Sequence, residues 1–243
     1  MDVIYTIDRE KDMSMVYTML KSDDLSDNLQ RTKRMGISRQ LFNKIAESSS
    51  YNEVENEINE LYNTKLLNDK ELLLSKTKLY QSNWNLINDI FEEETERVVG
   101  MKWKYEKYYV IVSLFHPGVS NMLGDTVYLW IYDDLDIHLR IAAHELLMTN
   151  LWQFFYKNFP EEDINNNWNK YWSVNEITTT FILGLDSKLN NLWSDRMKGY
   201  KNFLQNYPQL KEGRDLLVNK YKKRSSFKDF IDYSLPMFTT PRI

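Results

Sequence analysis

The run DDLDIHLRIAAHELLMTNLWQFFYKNF, residues 133–159, contains neither glycine nor proline and is apolar on most sides. It reads as one helix from an Asp cap at 133 or 134 to about residue 158, and a helix that is apolar nearly all round belongs in the middle of a protein. Outward from it, towards the N-terminus, TVYLWIY (126–132) and KWKYEKYYVIVSLF (102–115) are rich in aromatic and β-branched residues and read as strands, the second with Trp103, Tyr105, Tyr109 and Ile111 on one side. Between them HPGVSNMLGD (116–125) carries turn chemistry, which predicts an antiparallel pair. On the other flank PEEDINNNWNKYW (160–172) reads as a polar loop, and SVNEITTTFILGLD opens a second helix at Ser173.

Residues 10–100 show a 3.6-residue apolar repeat, through Val54, Ile58, Leu61 and Leu66 and then Leu79, Leu86, Ile90 and Phe91, with loops at 21–27 and 46–52. Two or three helices are expected after 187, including 187–206 and about 211–222. The fold class is therefore α+β and mostly helical: an N-terminal helical region (1–100), a core of strands and two helices (101–186) and a C-terminal helical region (187–243), in one compact unit.

Composition narrows the chemistry. A chain of 243 residues with 42% hydrophobic content can bury a sizeable core, and low Gly (7) and Pro (5) favour long helices over turn-rich β architectures. With no cysteine, disulfides, thiolate metal sites and cysteine nucleophiles are excluded, so a metal would fall to His, Asp or Glu, and the histidines are only His116, His138 and His144. The formal net charge of -4 is interleaved in sign, and YKKRSS (221–226) is a short solvated run, so no nucleic-acid partner is expected. The start MDVIYTIDREKDMSMVY lacks a basic segment followed by an apolar one, and no long apolar run follows; the expectation is a soluble, cytoplasmic protein with no membrane partner.

Within the buried helix, His144 and Met148 lie one turn apart on one face, and Glu145 reaches over the same spot. This is H-E-x-x-H, the pattern in which two histidines hold zinc and the glutamate activates water, with methionine at the second histidine. A glutamate, Glu176, follows Asn175 in the next helix. In this order of strand, HELLM helix and NEITTT helix, residues 126–186, extended at most to the strand from 103, resemble the core of a gluzincin-type zinc metallopeptidase. The resemblance implies a zincin-like core with a small antiparallel sheet, an antiparallel edge strand before the active-site helix, and a glutamate helix packed back across it. It makes His144 the first zinc ligand, Glu145 the general base and Glu176 the third ligand, with Met148 at the lost-ligand position and His116 as a substitute ligand. His116, Tyr171, Tyr200 or Tyr207 would stabilise an oxyanion, and His138 lies off the ligand face.

Each piece also has a plainer reading: His144 as a core histidine, Met148 as core filler, Ser173 and Glu176 as a capping box, and the aromatics of 103–132 as sheet packing. A thioether is a poor zinc donor, so zinc is expected to be weak or absent. The functional expectation is a degenerate metallopeptidase-like protein with weak or no peptidase activity that retains peptide or protein binding. The alternatives are an active metal-dependent peptidase with a non-standard third ligand, and a non-enzymatic helical α+β interaction protein.

Overall fold

A computed structural model describes residues 1–21, 32–33, 35–116, 118–120, 123–199 and 214–238. Its sheet comprises β1 (Asp2–Thr6), β2 (Lys107–Ser113), β3 (Val119–Ser120) and β4 (Thr126–Trp130), in the order β1-β2-β4-β3. β1, β2 and β4 run parallel, with Tyr5 opposite Val110 and Val110 opposite Val127; only the two-residue β3 is antiparallel, Val119 facing Tyr128 and Ser120 facing Val127.

The expected antiparallel pairing of the 102–115 and 126–132 segments is therefore corrected. The connection at 114–125 is not a tight hairpin. It is long enough to return to the starting end of the sheet, as a parallel partner requires, and it deposits β3 on the way. Strand β4 is consequently interior to the sheet, between β2 and β3, and not an edge. Near-continuous burial along β2 and β4 is the pattern of parallel strands covered on both faces, and it obscures the alternation that would distinguish strand types. β1 falls in a stretch without a strand signal strong enough to stand alone; it is stabilised by pairing with β2, which joins the N-terminal region to the core through one sheet.

The helices are α1 (Arg9–Lys21), α2 (Arg39–Glu47), α3 (Glu55–Asn85), α4 (Asn88–Val99), α5 (Leu135–Asn158), α6 (Glu161–Asn166), α7 (Trp168–Leu185), α8 (Ser187–Asn190), α9 (Arg214–Lys222) and α10 (Phe227–Ser234). α3 is a single long helix whose buried stripe includes Ile58, Tyr62, Leu73, Tyr80 and Trp84. α4 stops at Gly100, whose left-handed φ of 71° is cheap only for glycine. α5 spans the predicted central helix and is buried from His138 through Phe155 at most positions, because its sequence offers no continuous polar face to water.

The polar stretch 160–172 is not a loop. It forms α6 and the first turn of α7, started by Pro160 and Asn167. Ser173 and Glu176 thus lie inside α7, Ser173 Oγ bonds back to Asn169 O at 2.9 Å, and the capping-box reading is overturned. The helix expected over 187–206 is seen as the short α8, with Asp186 accepting bonds from Lys188 N and Leu189 N; the segment from 200 to 213, and with it Tyr200, Tyr207 and the start of the 211–222 helix, lies outside the described residues. One apolar cluster links the sheet, α3, α5, α7 and α10.

Candidate functional site

α5 and α7 pack side by side, and two polar contacts fix their register. Asn175 Nδ2 donates to Met148 O at 3.0 Å, and His144 Nε2 meets Glu176 Oε2 at 3.0 Å. The first contact makes Asn175 a spacer that sets Glu176 opposite His144. His144 and Glu176 are each 6% exposed and Met148 4%, so the group is sealed from bulk water on most sides.

Glu145 emerges beside this pair and turns towards the sheet. Burial raises the Glu145 pKa to about 7, against the lowering influence of His144 and of the nearby Ser120 hydroxyl on β3 and together with the raising influence of Glu176. The chain before Ser120 reaches this position because residue 118 is glycine: a Cβ there would stand 3.0 Å from Ile141 Cγ2 and 3.4 Å from Glu145 Oε1, and its φ of +145° is one that L-residues rarely adopt. The short antiparallel edge strand thus lies directly over the Glu145 turn of α5.

The other expected residues are placed elsewhere. His116 belongs to a buried cluster at the end of β2: its Nε2 is 3.6 Å from Asp12 Oδ1 and 3.4 Å from Asp12 O, while Ser113 Oγ donates to Asp12 Oδ1 at 2.6 Å and accepts from His116 N at 2.8 Å. Tyr171 donates its hydroxyl to Asp163 Oδ2 at 2.6 Å, within the α6–α7 corner. His138 stacks on Tyr80 with ring centres 3.4 Å apart, and burial lowers its pKa to about 3, so it is a neutral core histidine. Sequence reasoning missed Ser120, Gly118, Asp12 and Arg140. The last is fully buried one turn before His144, with its guanidinium 5.4 Å from the Trp193 ring centre. An apolar-helix signal marks Arg140 as anomalous, but no spacing rule links Ser120 or Asp12 to the site.

Neighbouring ligands on a tetrahedral zinc ion with bonds of about 2.0–2.1 Å stand about 3.3 Å apart, close to the His144–Glu176 separation of 3.0 Å. These two donors are short of the three a catalytic site uses, Met148 supplies only a thioether, and among the described residues no group of three His, Asp or Glu side chains is arranged to hold a metal. The residues present do not fit a zinc centre. Without a metal the contact is a hydrogen bond between the His144 ring and the Glu176 side chain, joining two helices.

No protein-family model matches this chain, and neither the curated proteins nor the solved structures contain a match to it. No helix among the described residues is long and apolar enough to cross a membrane.

Proposed function

We propose that this chain is a degenerate zinc-metallopeptidase-like protein of gluzincin type, with weak or no peptidase activity and a retained capacity to bind peptide or protein. The observation that carries the reading is the 3.0 Å approach of His144 to Glu176 from two different helices, at the spacing of two ligands of one ion, with Met148 one turn along from His144. α7 packed back across α5 is in keeping with it, and the short edge strand β3 lies over Glu145, although the strand directly before α5, β4, is interior and parallel to β2 instead of the antiparallel edge the resemblance implies. In this reading the first and third ligand positions persist, the second is lost, and the His144–Glu176 hydrogen bond occupies the place a metal would take. A partner peptide would lie along β3 by main-chain bonds, beside Glu145.

Metal analysis of protein purified without a histidine tag, after dialysis, is expected to find well under one zinc per chain. Met148→His restores an imidazole one turn from His144, and zinc affinity should rise at least about a hundredfold; Glu176→Gln in that background should reverse the gain. A full equivalent of tightly held zinc in the wild type would sink the degenerate reading in favour of an active peptidase. A well-folded Met148→His protein that binds zinc no better than wild type would sink the metallopeptidase ancestry and leave His144 as a core residue.

A further inference from the structure

β1 is an edge of the sheet, yet its outward main chain is not open. In β1 the even residues face β2, as when Asp2 N donates to Glu106 O at 2.8 Å, and the odd residues direct their peptide groups away from the sheet. Those groups are met by side-chain amides. Gln81 Oε1 accepts from Tyr5 N at 2.7 Å while Gln81 Nε2 donates to Val3 O at 3.0 Å, and Asn88 Nδ2 donates to Met1 O at 2.9 Å. The amides are themselves held in place: Gln81 Nε2 also donates to Asn85 Oδ1 at 2.7 Å, and Trp84 Nε1 donates to Asn88 Oδ1 at 2.9 Å.

A primary amide carries the same donor and acceptor as a peptide group, so one glutamine can stand in for one step of a neighbouring strand. The order agrees: Gln81 of α3 lies against Tyr5 and Val3, and Asn88, beyond the turn at 86–87, lies against Met1, so the amides follow the strand in the opposite sense. From this geometry we propose that the amides of Gln81 and Asn88, steadied by Asn85 and Trp84, act as a surrogate fifth strand that closes the β1 edge against pairing with a second copy of the chain.

A second copy is the occupant because two β1 edges present identical groups and pair antiparallel about a two-fold axis with every bond made twice. Along this edge runs an open groove of about 410 Å³ whose lining includes Val3, Ile4, Gln81 and Asn88, so the two amides stand inside the space an approaching strand would enter. Asp2 and Asp89 put the same negative charge on both copies along this groove, which opposes the pairing and which salt weakens.

The test is the oligomeric state of the full chain by light scattering, from dilute to concentrated protein and at low and high salt. The wild type is expected to show no β1-mediated dimer, and Gln81→Ala combined with Asn88→Ala to show a dimer fraction that grows with concentration and with salt. A folded double variant that stays at the wild-type mass throughout overturns the proposal. Hydrogen exchange on the wild type decides independently of whether that variant folds: the Tyr5 amide should exchange at least about tenfold more slowly than an unprotected amide. Exchange at the unprotected rate would show that Gln81 does not hold it, and would equally overturn the proposal.

Discussion

Gly118 and Ser120 place a strand where the helix signal alone would leave Glu145 facing open space. At Gly118 a side chain meets Ile141 at 3.0 Å and must also adopt a φ of +145°, so both sterics and backbone oppose it. Gly118→Ala is expected to lower stability by about 1–3 kcal/mol, read from the midpoint of urea unfolding. An unchanged midpoint would mean that the chain before β3 does not rest on α5. Ser120 acts through charge: its hydroxyl favours the ionised form of Glu145 while burial favours the neutral one, and burial prevails. On the proposed reading Met148 matters at this same scale, because a thioether in place of an imidazole would remove a ligand with little change in the bulk of the core.

The α5–α7 pair is the element on which the site depends. The two helices bury an unusual number of polar side chains, Thr149 and Asn150 on α5 and Ser173, Asn175, Thr178, Thr179 and Thr180 on α7. Most buried polar groups are bonded, although Asn150 Nδ2 and Thr178 Oγ1 make no hydrogen bond among the described residues. Asn175 is bonded twice, donating to Met148 O at 3.0 Å and accepting from Thr179 Oγ1 at 3.3 Å. Asn175→Leu keeps the branching of the side chain, adds some bulk and removes both bonds, leaving the Thr179 hydroxyl without this acceptor. The expected loss is about 1–3 kcal/mol. If Asn175 also sets the register, the same change will reduce the zinc affinity of the Met148→His protein; retention of full affinity would show that apolar packing alone holds Glu176 opposite His144.

For the whole molecule, the N-terminal region is tied to the sheet by β1 and by a buried carboxyl. Asp12 of α1 accepts from Ser113 Oγ and, at 3.2 Å, from Leu114 N at the end of β2. Burial raises its pKa from 3.8 to about 7, outweighing those two bonds and Lys65, with Asp8 adding to the rise. The folded state therefore holds a proton that the unfolded chain releases above its ordinary pKa. The contribution is fully present below about pH 4 and is lost as pH rises through about 7, at up to about 1.4 kcal/mol per pH unit. Asp12→Asn should flatten the stability profile between about pH 4 and 7 by one proton's worth, as measured by denaturant unfolding at a series of pH values. A profile of unchanged slope would show that Asp12 is not the group that titrates. Asp133 and Glu145, whose pKa values are raised to about 6 and about 7, contribute the same sign and should leave a residual slope in the variant.

The sequence by itself determined the buried helix over 135–158, because an apolar run of that length without glycine or proline has only one way to satisfy its backbone away from water. It also set the one-turn spacing of His144 and Met148, and it placed strands near 107–113 and 126–130 from their β-branched and aromatic content. Strand direction was beyond it: turn residues in 116–125 suit a hairpin and a longer return equally, and only the competition between partners on the sheet decided that β2 and β4 run parallel. The same holds for 160–172, where asparagines and acids suggest a loop in isolation but form helix once Ile164 and Tyr171 have a core to enter. The pairing of His144 with Glu176 needed both kinds of information. Local spacing supplied the residues, and the packing of α7 on α5 supplied the 3.0 Å contact. Ser120 over Glu145, Asp12 beneath His116 and Gln81 along β1 were decided by the tertiary structure alone, since each joins side chains whose meeting depends on long-range sheet order and not on any periodicity of the chain.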